Sequence, residues 1–183
     1  ADDYFDKTYL EKMHLSISSG NYDICYCGRY KVCNHKIKKI KTKFTKKNVF
    51  SKLLSGKIKC QIMVFMYKKE FLKENNISFR KGLSSGEDTE FIYLTLASTK
   101  KINYVNEYLT FYSHAHSVNQ LSTLSLDMID LKYESYKRLL LDDRIKMNKR
   151  IENLLINFGL NGATVRRLNN AIKQNFDKEE IIR

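Results

Sequence analysis

Apolar side chains recur along the first 120 residues with two different periods, which predicts helices and strands in alternation. A helix is predicted from Thr8 to Ser18, because its apolar residues lie near one face: Tyr9, Leu10, Met13 and Ile17. Residues 22–32 are rich in aromatic and β-branched side chains, which predicts a strand. The basic residues 34–43 that follow predict a loop or an exposed hairpin.

The same alternation continues as far as residue 120. The predicted elements are a helix capped by Thr45 and closed by Gly56, an apolar segment over 60–72 leading into a helix that ends near Glu74, a short strand over 77–79, a helix over 87–98 and two strands over 102–105 and 108–113. Residues 124–141, 144–158 and 163–175 then predict helices only. We therefore expect an α/β region with a mixed sheet over 1–120 and a helical C-terminal region over 121–183.

The chain is strongly basic, with a formal net charge of +13 over 183 residues. Much of this charge lies in residues 36–47, a stretch that contains seven lysines (Lys36, Lys38, Lys39, Lys41, Lys43, Lys46 and Lys47). Such a cluster favours polyanionic partners: nucleic acid, an anionic membrane face or nucleotide diphosphates. The apolar runs are too short to span a bilayer and no signal peptide begins the chain, so we expect a cytoplasmic protein.

Four cysteines allow two interpretations. Cys25 and Cys27 share one face of the predicted strand, and Cys33 and His35 follow closely, so a zinc site can be drawn from them. The spacing lacks a Cys-x-x-Cys pair, however, which favours reduced and mostly buried thiols.

Two pairs of acidic residues carry the strongest chemical indication. Asp2 and Asp3 stand before Tyr4 and Phe5, and Glu87 and Asp88 follow the sequence Ser84-Ser85-Gly86 at the predicted start of a helix. Taken singly, each pair is typical of a solvated end or of acids that cap a helix. Taken together, the first pair offers hard oxygen ligands for a cation, and the second offers a carboxylate that accepts a proton.

The order of these motifs resembles a known family. The run Asp2-Asp3-Tyr4-Phe5, a helix with Tyr9-Leu10-Glu11-Lys12-Met13, and then Glu87-Asp88-Thr89-Glu90-Phe91 resembles the second half of a family 2 glycosyltransferase of the GT-A fold. The resemblance covers about residues 1–120. It implies that the chain begins inside the family's Asp-x-Asp motif, with Ala1 as its middle residue, and that the nucleotide-binding half is absent. We therefore expect the isolated chain to be inactive or severely impaired.

The resemblance also implies roles for the acidic residues. Asp88 corresponds to the base that deprotonates the acceptor hydroxyl, beside Glu87. Asp2 corresponds to the residue that contacts a divalent cation, Mg²⁺ or Mn²⁺, and Asp3 supports the donor site. The implied reaction transfers a sugar from a nucleotide-diphosphate sugar to a hydroxyl of a glycan or glycolipid, with inversion, in the synthesis of cell-surface polysaccharide or glycolipid.

Three further residues are weaker candidates. His114 and His116 follow the last predicted strand at a spacing that lets both imidazoles face a metal or a phosphate. The family often has a Tyr-Arg pair here, whereas this chain has Tyr112-Ser113. Arg80 precedes the Glu-Asp pair and could approach an anionic acceptor or the departing phosphates.

Two other functions remain open from the sequence. The lysine cluster and the helical region could form a basic module that binds nucleic acid or membrane, although no specific nucleic acid is expected. A glycosyltransferase remnant without catalysis is the second alternative. If the chain is an enzyme with a glycolipid acceptor, the same cluster suits a peripheral contact with an anionic inner membrane face.

Overall fold

The computed structural model describes residues 3–34, 36–113 and 126–173. Their contacts divide the chain into two units. The first unit comprises Ala1–Ser78 and Thr95–Gln120, and the second comprises Phe79–Leu94 and Leu121–Arg183. Residues 79–94 thus group with the C-terminal helices rather than with the sheet.

The first unit is built on a mixed sheet, which has five strands among the described residues. They are β1 (Tyr4–Phe5), β2 (Ile24–Cys33), β3 (Lys36–Ile40), β4 (Phe65–Tyr67) and β5 (Ile102–Ser113). The long strands β2 and β5 pair in parallel, and β1 pairs antiparallel with the end of β5. Strands β4 and β3 pair antiparallel with the first and second parts of β2, respectively.

Helices contribute buried side chains to the core of the first unit. They are α1 (Tyr9–Ser18), α2 (Val49–Leu54) and α3 (Lys69–Glu74), and a 3₁₀ turn over Ile62–Val64 precedes β4. Met13 of α1 is fully buried, as are Ile24 and Tyr26 of β2. Burying large apolar side chains of this kind contributes roughly 1.5–3 kcal/mol each, so these side chains are a main source of stability in this unit.

The second unit is helical. It contains the first part of α4 (Glu87–Ser98) and the helices α5 (Leu126–Leu141), α6 (Asp143–Lys146), α7 (Lys149–Leu154) and α8 (Asn161–Lys173), with a π-helical turn over Leu155–Leu160 between the last two. Its core is formed mainly by Ile129, Leu139, Ile145, Ile151 and Leu155. Helix α5 contacts both the π-helical turn and α8, so it is the central helix of this unit.

Most elements lie where the sequence predicts them, including α1, β2 and α4. The basic residues 34–43 form the hairpin that was one of two predicted outcomes, since β3 pairs with β2. The predicted strand over 77–79 is wrong, because these residues are not in a strand. Thr45 was also wrongly predicted as a helix cap: α2 begins four residues later, at Val49, after Asn48 in a left-handed conformation.

A further correction concerns residues 102–113, which form one strand rather than two. The pair Asn106-Glu107 suggested a turn, but the register shows irregularities on both sides of Tyr108, where β5 has extra residues relative to β2. The polar pair therefore sits in a β-bulge, which leaves such residues unpaired without ending the strand.

Within the described part of the chain, no helix combines the length and the apolar character that a membrane span requires.

Candidate functional site

The first acidic position lies at the edge of the sheet in the first unit. The Asp3 carboxylate accepts a hydrogen bond of 2.8 Å from the backbone N–H of Ser113, at the end of β5. The next residue, Tyr4, stacks on Phe111 with ring centroids 4.6 Å apart. The aromatic residue after the acidic pair thus anchors β1 on β5 and holds Asp3 at an exposed strand end, where an oxygen ligand is accessible.

The second acidic pair begins helix α4 in the second unit. Glu87 and Asp88 lie in its first turn, as predicted, where the helix dipole favours negative charge. The preceding Gly86 has a φ of +88° and lies against α5. A Cβ at this position would collide with the Ser135 hydroxyl and lie 3.3 Å from the Cα of Lys132. The start of α4 is therefore pressed directly against α5.

This close approach places a lysine beside the two carboxylates. Burial raises the pKa of Asp88, and the neighbouring Glu87 raises it further, whereas Lys132 lowers it. Burial and the nearby Arg166 lower the pKa of Lys132, whereas the two acids raise it. Each charge of the Asp88–Lys132 pair thus offsets part of the cost of burying the other.

One oxygen in this cluster is left unsatisfied. Glu87 Oε2 is buried and has no hydrogen-bond partner among the described residues. An unpaired buried carboxylate oxygen is costly, so a donor from a ligand or from water would be stabilised there. This atom marks the start of α4 as a place that accepts a hydrogen-bond donor.

A third acidic residue of α4 is structural. Glu90 is buried, and its carboxylate accepts a hydrogen bond of 2.8 Å from Nε of Arg138 as well as one from Nη2 of the same guanidinium. Nε of Arg80 lies 3.2 Å from the other carboxylate oxygen. Arg80, which the sequence offered as a contact for an anionic acceptor or phosphate, is thus part of the network around Glu90.

The structure brings together some of the predicted residues. Glu87 and Asp88 lie in one cluster with Lys132 in the second unit, and Asp3 lies in the first unit. Asp2, His114 and His116 lie outside the described residues, so their roles stay predictions.

Sequence reasoning missed Lys132, Arg138 and Glu90. A pattern does point to Lys132: it interrupts the apolar stripe of α5 between Ile129 and Leu139, which are both buried. A charged residue on the inner face of an amphipathic helix requires a partner, and Asp88 and Glu87 are the partners here.

The cysteines behave as buried thiols. Cys25 and Cys27 are both fully buried, and burial raises the pKa of Cys27 to about 12. Among residues 3–34, 36–113 and 126–173, no group of three or more His, Cys, Asp or Glu side chains is placed to hold a metal ion. His35, which completed the alternative zinc set, lies outside these residues.

Comparison with known proteins shows the fold. No protein-family model matches the chain. No curated protein matches it significantly either. Among solved structures, it matches S. aureus TarS 1–349 in complex with UDP-GlcNAc with a TM-score of 0.68 and 18% identity, and it matches the same protein in complex with UDP with a TM-score of 0.62.

The match extends over nearly all of this chain but only part of TarS. It covers 98% of this chain and 51% of the TarS 1–349 chain, so the chain spans about half the length of that structure. The longer TarS crystal structure matches with a TM-score of 0.53 over 78% of this chain. These matches confirm the predicted fold class, a GT-A mixed sheet with helices followed by a helical C-terminal region.

The contact between Gly86 and α5 yields a stability prediction. Gly86→Ala should destabilise the protein by more than about 2 kcal/mol, because it adds a steric clash to the strain of a positive φ. Gly82→Ala is the matched control, since Gly82 also has a positive φ of +78° but no atom within 4 Å of a Cβ. Urea unfolding of both variants measures the difference.

The double variant Gly86→Ala, Ser135→Gly separates the clash from the backbone strain. Measured against Ser135→Gly alone, which itself costs roughly 1 kcal/mol inside a helix, the added Gly86→Ala should cost about as much as Gly82→Ala, because the hydroxyl that the new methyl group meets is gone. Equal destabilisation by Gly86→Ala and Gly82→Ala would contradict the close packing of α4 on α5.

Proposed function

We propose that this chain is the acceptor-side half of a glycosyltransferase that moves a sugar from a nucleotide-diphosphate donor to a hydroxyl of a glycan or glycolipid, with inversion. The observation that carries the proposal is the setting of Asp88, a carboxylate in the first turn of α4 with the Lys132 amine beside it. The fold adds support, since TarS, a glycosyltransferase, shares it and binds UDP-GlcNAc.

The proposed chemistry at Asp88 is general-base catalysis. The carboxylate takes the proton of the acceptor hydroxyl as that oxygen attacks the anomeric carbon, and the bond from that carbon to the donor diphosphate breaks. A carboxylate is a weak base, so it must be held in hydrogen-bond reach of the hydroxyl. The packing of α4 on α5 at Gly86 supports such a fixed position.

Lys132 is proposed to control the charge of the base. Burial alone would favour the protonated, inactive form of Asp88, and the positive amine of Lys132 opposes this effect. The unsatisfied oxygen of Glu87 offers an acceptor for another hydroxyl of the bound substrate. In this proposal, Asp88 accepts the proton of the acceptor hydroxyl and Glu87 orients the acceptor.

A divalent cation, Mg²⁺ or Mn²⁺, is proposed at Asp2 and Asp3. The exposed carboxylate of Asp3, just before β1, fits such a cation through the oxygen that does not bond to Ser113, because both metals prefer hard oxygen ligands. When bound, the cation would neutralise charge on the leaving diphosphate.

We also propose that the enzyme works in the cytoplasm on cell-surface polysaccharide or glycolipid. The lysines of β3 are exposed, which supports a peripheral contact with an anionic membrane face. The competing proposal of a nucleic-acid-binding module draws on the same lysines, and it predicts binding that weakens steeply with salt.

Asp88→Asn tests the base directly. In the full-length protein that carries this chain, the variant should lose at least about a hundredfold in kcat, because the amide cannot accept the proton. Binding of UDP-GlcNAc, measured by calorimetry, should be unchanged. Asp143→Asn is the control, since Asp143 is an exposed acid in the first turn of α6. Near-normal turnover of Asp88→Asn would show that Asp88 is not the base and only caps the helix.

Lys132→Met tests the electrostatic role through the pH profile. Removing the amine should raise the pKa of Asp88 further, because burial and Glu87 both raise it and Lys132 lowers it. The base is active when deprotonated, so the acidic limb of kcat/KM should move to higher pH. Lys137→Met is the control, because Lys137 lies on the exposed side of the same helix and pairs with Glu134. An unshifted acidic limb would leave Lys132 with a packing role only.

The metal proposal predicts a conditional loss of donor binding. Asp2→Ala in the full-length protein should weaken UDP binding in the presence of Mn²⁺ and change it little in EDTA, because the carboxylate acts through the cation. Calorimetry under both conditions measures the effect. Equal weakening with and without Mn²⁺ would count against this role.

A further inference from the structure

Phe79, which precedes α4 in the second unit, presents an accessible aromatic face. Its ring lies flat on that of Phe91, with the centroids 4.2 Å apart and the planes 2° apart. Phe91 is buried, whereas Phe79 is 46% exposed. Among the residues that the structure describes, no second ring and no cation lies against Phe79. Since Phe91 covers one face of the Phe79 ring, the exposed area includes the other face.

The partner ring brings Phe79 to the proposed base. Successive residues of a helix lie about 100° apart around its axis. Phe91, one turn after the acids, therefore projects between the directions of Glu87 and Asp88. Helical side chains lean toward the N-terminus, which places the Phe91 ring over the turn that carries both carboxylates. Because Phe79 stacks on that ring, it borders the same turn of α4.

The segment that carries Phe79 is fixed to α4 by a second contact. Nε of Arg80 lies 3.2 Å from the carboxylate of Glu90, which is buried and also accepts a hydrogen bond from Arg138. Two consecutive residues thus hold this segment on the helix, one through a ring and one through an ion pair. The aromatic face is in place before a ligand arrives, which lowers the entropic cost of binding.

Packing alone does not require a ring at position 79. An aliphatic side chain of similar volume would cover Phe91, since swaps that conserve volume are the ones that packed sites tolerate best. A ring differs from such a side chain in its flat face, which carries a negative potential. That face is the part of Phe79 that Phe91 leaves exposed.

A flat apolar face beside two carboxylates matches a pyranose. The C–H bonds on one side of the sugar ring carry partial positive charge and pack on the negative face of an aromatic ring. Its hydroxyl groups project around the edge and donate hydrogen bonds to carboxylates. One hydroxyl then meets Asp88, and another satisfies the buried Oε2 of Glu87, which has no partner among the described residues.

Other ligands meet only part of this requirement. An acyclic polyol has the hydroxyl groups but no flat apolar face, and an acyl chain has apolar surface but no donor for the oxygen of Glu87. A nucleotide stacks on a ring as a sugar does, but its phosphate would be repelled by the two carboxylates at the start of α4.

We propose that the acceptor is a pyranose that stacks on Phe79, with one hydroxyl at Asp88 and another at Glu87. The inference rests on the proposed function in taking Asp88 as the base. It narrows the acceptor to a ring sugar, and it makes Phe79 the residue that selects a ring sugar over an acyclic polyol or a lipid chain.

Binding of defined sugars to the full-length protein that carries this chain tests the proposal. The probes are four neutral tetrasaccharides of pyranoses (cellotetraose, maltotetraose, mannotetraose and chitotetraose) and sorbitol, a polyol without a ring. Each is titrated by saturation-transfer NMR with UDP and Mn²⁺ present, so that the probes do not compete for the donor site. We expect saturable binding of at least one tetrasaccharide and none of sorbitol over the same concentrations.

Three variants separate the aromatic face from packing. Phe79→Leu should weaken the tetrasaccharide about tenfold, because leucine covers Phe91 but has no flat face. Phe79→Trp should retain the affinity within about threefold, because indole also offers an aromatic face. Phe158→Leu is the matched control and should change nothing, since Phe158 is similarly exposed, at 53%, but lies in the π-helical turn. Urea unfolding verifies that each variant folds.

Three outcomes would overturn the proposal: no saturable binding of any tetrasaccharide, tetrasaccharide binding that Phe79→Leu leaves intact, and sorbitol binding as tight as that of the tetrasaccharides. Turnover of the same proteins distinguishes this proposal from the proposed function. Sugar transfer that Asp88→Asn abolishes and Phe79→Leu leaves unchanged would refute the role of Phe79 alone. Tetrasaccharide binding that depends on Phe79, in a protein that transfers no sugar, would support the sugar site and refute the proposed function.

Discussion

The parallel pairing of β2 with β5 is the constraint on which the first unit depends. These strands hold the centre of the sheet, with β1 on one side and β3 and β4 on the other. Because β1 pairs with the last residues of β5, this pairing also fixes where Asp3 stands, through the hydrogen bond from Ser113. One pairing thus determines both the core and the exposed polar groups.

In the second unit, side chains tie the start of helix α4 to α5. A buried carboxylate, Glu90, receives the guanidinium of Arg138 and a further hydrogen bond from Arg80. Removing one partner of such a buried pair typically costs 3–5 kcal/mol, because the remaining charge is left uncompensated. The network holds α4 in register with α5, and Gly86 brings the backbones together one turn earlier. Asp88 lies between these two contacts, which fix the backbone of α4 on either side of it.

Local patterns predicted the elements of the fold better than the contacts between them. Helix α4 and its acidic first turn could be predicted from the sequence, because a glycine precedes two acids and an apolar helical stretch. Residues 102–113 were misread because Asn106-Glu107 has the composition of a turn, and only pairing with β2 shows that a bulge absorbs it. Lys132 lies 44 residues after Asp88, and no local pattern relates two positions so distant in sequence. Its place on the buried stripe of α5 indicated that it has a partner, but the identity of that partner required the structure.

Different observations support the fold and the proposed function of this protein. At 18% identity, the match to TarS establishes how the chain folds, and one fold can carry unrelated chemistry. The argument for catalysis therefore comes from the surroundings of Asp88. An acid that only caps a helix gains nothing from partial burial beside a second carboxylate, because both features destabilise its charged form. A carboxylate that acts as a base benefits from these features, because a raised pKa makes it a stronger base. It must still be ionised before the reaction, which requires a nearby cation. In the proposed reaction Lys132 supplies that cation, so the proposed base role accounts for all three side chains, whereas helix capping accounts only for the two acids.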